Sequence, residues 1–180
     1  MTNIPNGSGH FLRRRRQTMQ TENIALYAFR KYGDTALQAA FCCLGNQQDA
    51  EDVAQEVFFE LHKKPRSFND EEHLKAYILR AVINRCNNLR RKLKRRIRIS
   101  LEDVRESELA EKTDSMRDII ALIKALPPPY NAVVYLHDCE GYSAREIAEM
   151  LGRKENTVSS QLRRGREKLR MDIEDAGVLL

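Results

Sequence analysis

The chain reads as all-α: two small helical domains joined by a flexible linker, the C-terminal one containing a helix-turn-helix. Three observations predict this. Apolar residues recur every three or four positions along most of the 180 residues. No apolar–polar alternation continues for more than a few residues, so no half-buried strand is marked. Between Ser100 and Asp114 the large apolar residues thin out, which separates two periodic halves. The expected segments are a basic tail without structure over 1–21, a helical domain over 22–96, a linker over 97–115 and a second helical domain over 116–175.

The elements follow in order. Ile24, Leu26, Tyr27, Phe29 and Tyr32 start a helix that Gly33-Asp34 is expected to interrupt, and Leu37, Ala40, Phe41 and Leu44 carry a second to the stop signal Gly45-Asn46. Asp49 can cap the next helix, whose Val53, Val57, Phe58 and Leu61 share one face until Pro65. Asn69 with Glu72 has capping-box spacing and opens a long helix. Its stripe is Leu74, Tyr77, Ile78, Ala81, Val82, Cys86 and Leu89, and its basic end suits the helix dipole. Within the linker, Leu101 to Leu109 allows one short helix. Ser115 with Asp118 marks another start, with Ile119, Ile120, Ile123 and Leu126 on one face up to Pro127-Pro128-Pro129. The last proline suits the first turn of a helix holding Val133, Val134 and Leu136, which stops near Gly141.

Charge is unevenly placed. The formal net charge of +5 conceals blocks of opposite sign. Asn46 to His62 carries five acids and no Lys or Arg, whereas Asn84 to Arg98 carries eight bases and no acid. Ile99 to Asp118 is acidic again, and Arg153 to Arg170 has seven bases against two acids. Two basic helix ends with an acidic spacer point to two nucleic-acid contacts. A chain 42% hydrophobic and 32% charged is a globular composition, and no apolar run approaches the roughly 18 residues of a membrane span. Arg13 to Arg16 is followed by polar residues rather than an apolar segment, so a cytoplasmic location is expected. Cys42, Cys43, Cys86 and Cys139 have neither zinc-ligand spacing nor a disulfide-framework pattern. No cofactor and no metal site is expected.

The strongest local signal lies near the C-terminal end. Ser143-Ala144-Arg145-Glu146 has capping-box spacing, Ala148 is small where two helices would cross, and Gly152 supplies the turn. Val158 and Leu162 then give the second helix a buried side. Its leading exposed positions are Asn156, Thr157, Ser159, Ser160 and Gln161, with Arg163, Arg164 and Arg166 behind them. Short polar groups can approach base edges there, while arginines reach bases or phosphates.

Asp49-Ala50-Glu51-Asp52-Val53-Ala54-Gln55-Glu56-Val57-Phe58 resembles the conserved-region-two helix of bacterial RNA polymerase sigma factors. Ser67-Phe68 with Leu74 to Asn84 resembles the promoter-melting segment of that family. Leu126-Pro127 and Glu140 to Arg170, including Thr157-Val158 and Arg164-Gly165-Arg166, resemble its region four. Their order and spacing are those of the two-domain extracytoplasmic-function type, and the match covers about residues 22–96 and 116–171. The sequence departs from the family where Tyr77 and His62 replace a common Trp, where Ser159 occupies a position that is often basic, and where Asn156 stands for Gly.

The resemblance implies transcription initiation without an active site of its own. Asp49, Glu51, Asp52, Gln55 and Glu56 would dock on the core polymerase, an acid-rich face suiting a basic protein partner and disfavouring DNA. Phe68 would stand beside a base flipped from the −10 element, with Tyr77, Arg80 and Asn84 at that strand and Arg85, Asn88, Arg91 and Lys92 along its phosphates. Asn156, Thr157, Ser159, Ser160, Gln161, Arg163 and Arg164 would face the −35 element. Family membership also allows an anti-sigma factor as partner, though no residue names one. Two other readings differ in class. A stand-alone helix-turn-helix regulator would use its N-terminal half for dimerisation and bind duplex DNA tightly by itself. A nuclease would hold Mg²⁺ on Asp49, Asp52 and Glu56, at i, i+3 and i+7, but no His or Lys at catalytic spacing accompanies them.

Overall fold

A computed structural model describes residues 23–97 and 115–175, all of whose regular elements are helices. These are α1 (Ile24–Leu44), α2 (Gln47–Lys63), α3 (Glu71–Ile97), α4 (Ser115–Ala125), α5 (Tyr130–Val134, continued by a wider π-type turn over Tyr135–Cys139), α6 (Ala144–Leu151) and α7 (Glu155–Asp175). The expected basic tail, residues 98–114 of the expected linker and its short helix lie outside the described residues, as do the side chains of Ser115 and Asp118; the linker's two end positions, Ile97 and Ser115, close α3 and open α4.

Helix α1 is the spine. It packs on α2 and α3 in one half, and on α4 and α5 in the other. Its buried positions are mainly small: Ala25, Ala28, Ala36, Ala39, Ala40, Cys42 and Cys43. Small side chains let neighbours on more than one side approach closely, which explains why α1 is covered on both flanks. Gly33 does not interrupt it. A glycine inside a helix costs about 1 kcal/mol, and burial of Tyr32 and Ala36 on either side outweighs that. The helix stops at Gly45, whose φ of 74° lets its N–H close on the Phe41 carbonyl at 2.8 Å.

Two other starts also differ from the sequence expectation. Asn46, rather than Asp49, caps α2, its side-chain oxygen accepting the Asp49 N–H at 3.0 Å. Asp70, rather than Asn69, accepts the His73 N–H at 2.8 Å at the head of α3. In both cases the short polar residue directly before the first helical turn has the reach, and its neighbour does not. The capping box of Ser143 and Glu146 on α6 forms as expected.

The two halves are joined by more than chain. Asn131, buried in α5, donates its side-chain amide to the Cys42 carbonyl of α1 at 2.9 Å, while its amide oxygen accepts the Ala132 N–H at 2.8 Å. Lys75 of α3 pairs with Glu140 at 2.9 Å, and the Tyr135 hydroxyl donates to the other oxygen of that carboxylate at 2.6 Å. Burial, then the bond to Glu140, pushes the Tyr135 hydroxyl well above its ordinary pKa. Lys124 of α4 lies over the Phe41 ring.

Candidate functional site

The acidic helix presents a face unlike the rest of the surface. Val53, Ala54, Val57, Phe58 and Leu61 turn inward, which leaves Glu51, Asp52, Gln55 and Glu56 in solvent. Asp49 is half-buried in the first turn. Phe58 and Phe59 are adjacent, about 100° apart on the helix, so both cannot enter the core. Phe58 is buried, and Phe59 is 56% exposed. Phe29 of α1 is 53% exposed and meets the edge of the Phe58 ring, with centroids 5.4 Å apart. Two open depressions result, of about 550 and 320 Å³. The first is lined by Phe29, Asp52, Gln55, Glu56, Phe58 and Phe59, and the second continues along α1 past Gly33 and Asp34. Exposed aromatics offer apolar area to bury, and the carboxylates around them repel the phosphates of a nucleic acid. Sequence reasoning singled out the acids but not the exposed rings of Phe29 and Phe59 beside them. The adjacent pair Phe58-Phe59 was the available signal.

A second face runs along α3. Tyr77, Arg80, Asn84, Asn88 and Arg91 follow at intervals of three or four and therefore form one stripe, opposite buried Leu74, Ile78, Leu79, Val82, Ile83 and Cys86. Arg80, Asn84, Asn88, Arg91 and Lys92 are exposed. Arg85 leans the other way and lies 3.5 Å from Glu56, which brings one expected DNA residue beside one expected docking residue. A pair this exposed contributes at most about 1 kcal/mol and is free to exchange partners.

Phe68 corrects the sequence expectation. It is only 2% exposed, packed between His73 and Tyr77 with ring centroids at 5.4 and 5.3 Å. A lone apolar residue in a polar loop gains about 1.5–3 kcal/mol by turning inward, and the first turns of α3 provide the place. In this conformation it props the loop and offers no face to a base. What the loop leaves outside is Ser67, Asn69 and Arg66, the last over the Tyr77 ring at 5.2 Å.

The third face is α7. Val158, Leu162, Gly165 and Leu169 line its inner side against α5 and α6. Asn156, Thr157, Ser159, Ser160, Arg163 and Arg164 are exposed on the other. Within this set the Ser160 hydroxyl donates back to the Asn156 carbonyl at 2.7 Å, and Arg163 lies 3.7 Å from Glu167. Gln161 accepts from Arg153 at 3.0 Å, which tethers the turn to the helix and engages its oxygen. Arg166 pairs with Asp138 while about half of its side chain stays in solvent, so it ties α7 to the turn after α5 from the surface. Burial would raise the Asp138 carboxyl, but the hydrogen bonds and charge of Arg166, with His137 beside it, hold it below the ordinary carboxylate range. At the head of α6, the Ser143 hydroxyl and N–H hold the Glu146 carboxyl down.

Among the described residues no group of three or more His, Cys, Asp or Glu side chains is arranged to hold a metal ion, Asp49, Asp52 and Glu56 included. None of the described helices is long and apolar enough to cross a membrane.

Comparison with known proteins follows the same division. The Sigma-70 region 2 family model matches residues 28–96, and the Sigma-70 region 4 model matches residues 116–169. The chain is 31% identical over 150 residues to the ECF RNA polymerase sigma factor SigE of Mycolicibacterium smegmatis, covering 78% of this chain and 58% of that one. It is 33% identical over 125 residues to the ECF RNA polymerase sigma factor SigM of Mycobacterium tuberculosis, covering 68% and 63%. It thus spans about three fifths of the length of these two relatives. Among solved structures, the sigma factor RpoE in complex with the anti-sigma factor NepR from Bartonella quintana has a similar fold, with a TM-score of 0.68 at 20% identity over 83% of this chain and 96% of that one.

Proposed function

Because the chain belongs to the sigma-70 family of RNA polymerase sigma factors, in its extracytoplasmic-function (ECF) branch, we propose that it binds core RNA polymerase and directs promoter-specific initiation. The observation that carries this is the separation of faces on one chain. An aromatic and carboxylate surface on α1 and α2 lies apart from two cationic or polar stripes, one on α3 and one on α7.

Phe29, Phe59, Asp52, Gln55 and Glu56 form the core-binding surface, with Asp49 and Glu51 at its rim. The apolar part supplies affinity, and the carboxylates select a basic partner and speed encounter. The stripe of Tyr77, Arg80, Asn84, Asn88 and Arg91 meets the −10 strand, with Arg85 and Lys92 on phosphates. Phe68 acts indirectly, by holding the loop that carries Arg66, Ser67 and Asn69. Asn156, Thr157, Ser159, Ser160, Arg163 and Arg164 meet the −35 element in the major groove, where short polar groups at a helix start come close to base edges. Opening of the duplex is assisted by trapping unstacked bases and needs no catalytic group. The protein works in the cytoplasm beside the polymerase, and an anti-sigma factor is a proposed partner, supported by the relative solved with one.

The test is run-off transcription with purified bacterial core enzyme on a promoter library. Defined start sites that depend on the protein are expected, with weak duplex binding in the absence of core. Folded protein that directs no start site, or that binds a palindromic duplex tightly alone, would overturn the reading.

A further inference from the structure

Arg153 stands half-buried in the turn between α6 and α7, and its Nη1 donates to Oε1 of Gln161 at 3.0 Å. A guanidinium only donates, so the amide atom that meets it must be the oxygen. The bond is charge-assisted, about twice as strong as one between neutral groups. Thr157, Gln161 and Arg164 follow at i, i+4 and i+7 and form one row along α7, whose outer two members are exposed. Gln161 therefore lies, half-buried, between two residues placed at the −35 element above. An amide is planar, with its NH2 and its oxygen on opposite sides. With the oxygen turned to Arg153, the NH2 is the group left for a partner. Neighbouring Ser160 is fixed in the other sense: its hydroxyl hydrogen goes to the Asn156 carbonyl at 2.7 Å, which leaves it lone pairs to offer.

Given the −35 role proposed for α7, on which this rests, we infer that Arg153 sets the base that Gln161 reads. By holding the amide oxygen it makes Gln161 a donor in the major groove, which selects a keto base, guanine or thymine, over adenine or cytosine. A free glutamine amide pairs with adenine through two bonds, its oxygen accepting from N6 and its NH2 donating to N7. Arg153 disfavours that pair in two ways. It engages the oxygen, and its positive charge repels the N6 amino hydrogens that would approach the same atom. Cytosine shows the major groove its N4 amino donor and gives the Gln161 NH2 no acceptor. Guanine O6 and N7 and thymine O4 are acceptors, and the nearby cation favours them further. Arg153 acts through Gln161 and is a positioning residue.

Holoenzyme assembled from bacterial core and the full chain transcribes a template library in which the −35 element is randomised and each template carries a transcribed barcode. Wild type should show a position where guanine or thymine outscores adenine and cytosine about fivefold, the weaker end of what a base-edge contact discriminates. Gln161→Ala should abolish the preference at that position alone. Arg153→Ala should turn the same position toward adenine, again about fivefold, whereas Arg153→Lys, which keeps one donor to the oxygen, should retain the keto base. An unchanged profile in Arg153→Ala would overturn the inference, as would a wild-type preference for adenine at the Gln161 position. So would an Arg153→Ala loss equal on all sequences with a shallower salt dependence, which marks a phosphate contact. Where Arg153→Ala folds poorly, Gln161→Glu decides. A carboxylate held by Arg153 has no N–H to give, so the position should turn to cytosine or adenine, and a retained keto base would sink the idea. Holoenzyme that starts nowhere on the library refutes the −35 role and the Arg153 role together. Defined starts whose base preferences ignore Arg153 refute the Arg153 role alone.

Discussion

Exchanging glycine for alanine at Gly165 and at Gly33 should change stability in opposite directions. Both glycines lie inside helices, where alanine is favoured by about 1 kcal/mol. At Gly33 an added Cβ would meet only the Phe29 ring, at 3.8 Å, which is ordinary contact. Gly33→Ala should therefore stabilise by about 0.5–1 kcal/mol. At Gly165 the same carbon would lie 2.7 Å from Val134 Cγ2 and 3.3 Å from Tyr130 Cβ, both on α5. Val134 is fully buried, and α5 is pinned to α1 through Asn131, so neither helix yields easily. Overpacking costs about 1–3 kcal/mol, and an approach as close as 2.7 Å belongs in the upper part of that range, about 2–3 kcal/mol; set against the propensity gain of about 1 kcal/mol it leaves Gly165→Ala about 1–2 kcal/mol less stable. With a urea slope of about 2 kcal/mol per molar, the midpoint should fall by about 0.5–1 M, against a rise of about 0.3–0.5 M for Gly33→Ala. Urea unfolding followed by far-ultraviolet circular dichroism reads both. Val134→Ala should relieve the clash, so the double variant should lose at least about 0.5 kcal/mol less than the two single losses together. A Gly165→Ala midpoint at or above wild type would refute the close approach as the reason for glycine in Arg164-Gly165-Arg166.

Three further outcomes are expected. Asn131→Ala leaves the Cys42 carbonyl unpaired in the interior and should cost about 1–3 kcal/mol; it should also raise the radius of gyration in small-angle scattering, and an unchanged radius would mean that this bond does not hold the halves together. Ser143→Ala removes the cap of α6 and should lower stability by about 1 kcal/mol, with faster amide exchange at Glu146 and Ile147 than in wild type. Asp138 has its carboxyl held down in the folded state, so its contribution is present above the unfolded carboxylate pKa and is lost as pH falls through the folded value; Asp138→Asn should therefore differ from wild type in melting temperature at pH 6 and converge with it in strong acid, and a difference that persists unchanged there would exclude the ion pair as its source.

Much of this molecule is legible residue by residue. The capping box at Ser143, the turn at Gly152 and the inward stripe of Val158 and Leu162 were readable because each depends on neighbours within four positions. The acidic helix and the basic end of α3 were readable for the same reason, since charge is a property of the residue and helical spacing sorts it onto faces. Errors arose where two nearby candidates compete. Asn46 against Asp49 and Asp70 against Asn69 differ by one to three positions, and only the path of the preceding chain decides which oxygen reaches the free N–H. Gly33 looked like a break because its local cost is visible and the burial that outweighs it is not.

The order of residues alone was enough for the helical class, the division into two halves, the blocks of opposite charge and the family, because these rest on periodicity and composition within short windows. Contacts between distant segments were settled only once the chain had folded. Packing of α3 drew Phe68 inward, proximity of α1 exposed Phe29 beside Phe59, and the crossing of α7 over α5 left no room for a side chain at Gly165. The same docking placed Asn131 against the Cys42 carbonyl and drew one end of Arg90 out of the basic run into the interior. Each of these is a choice between burial and exposure, and that choice belongs to the neighbours a residue acquires in space.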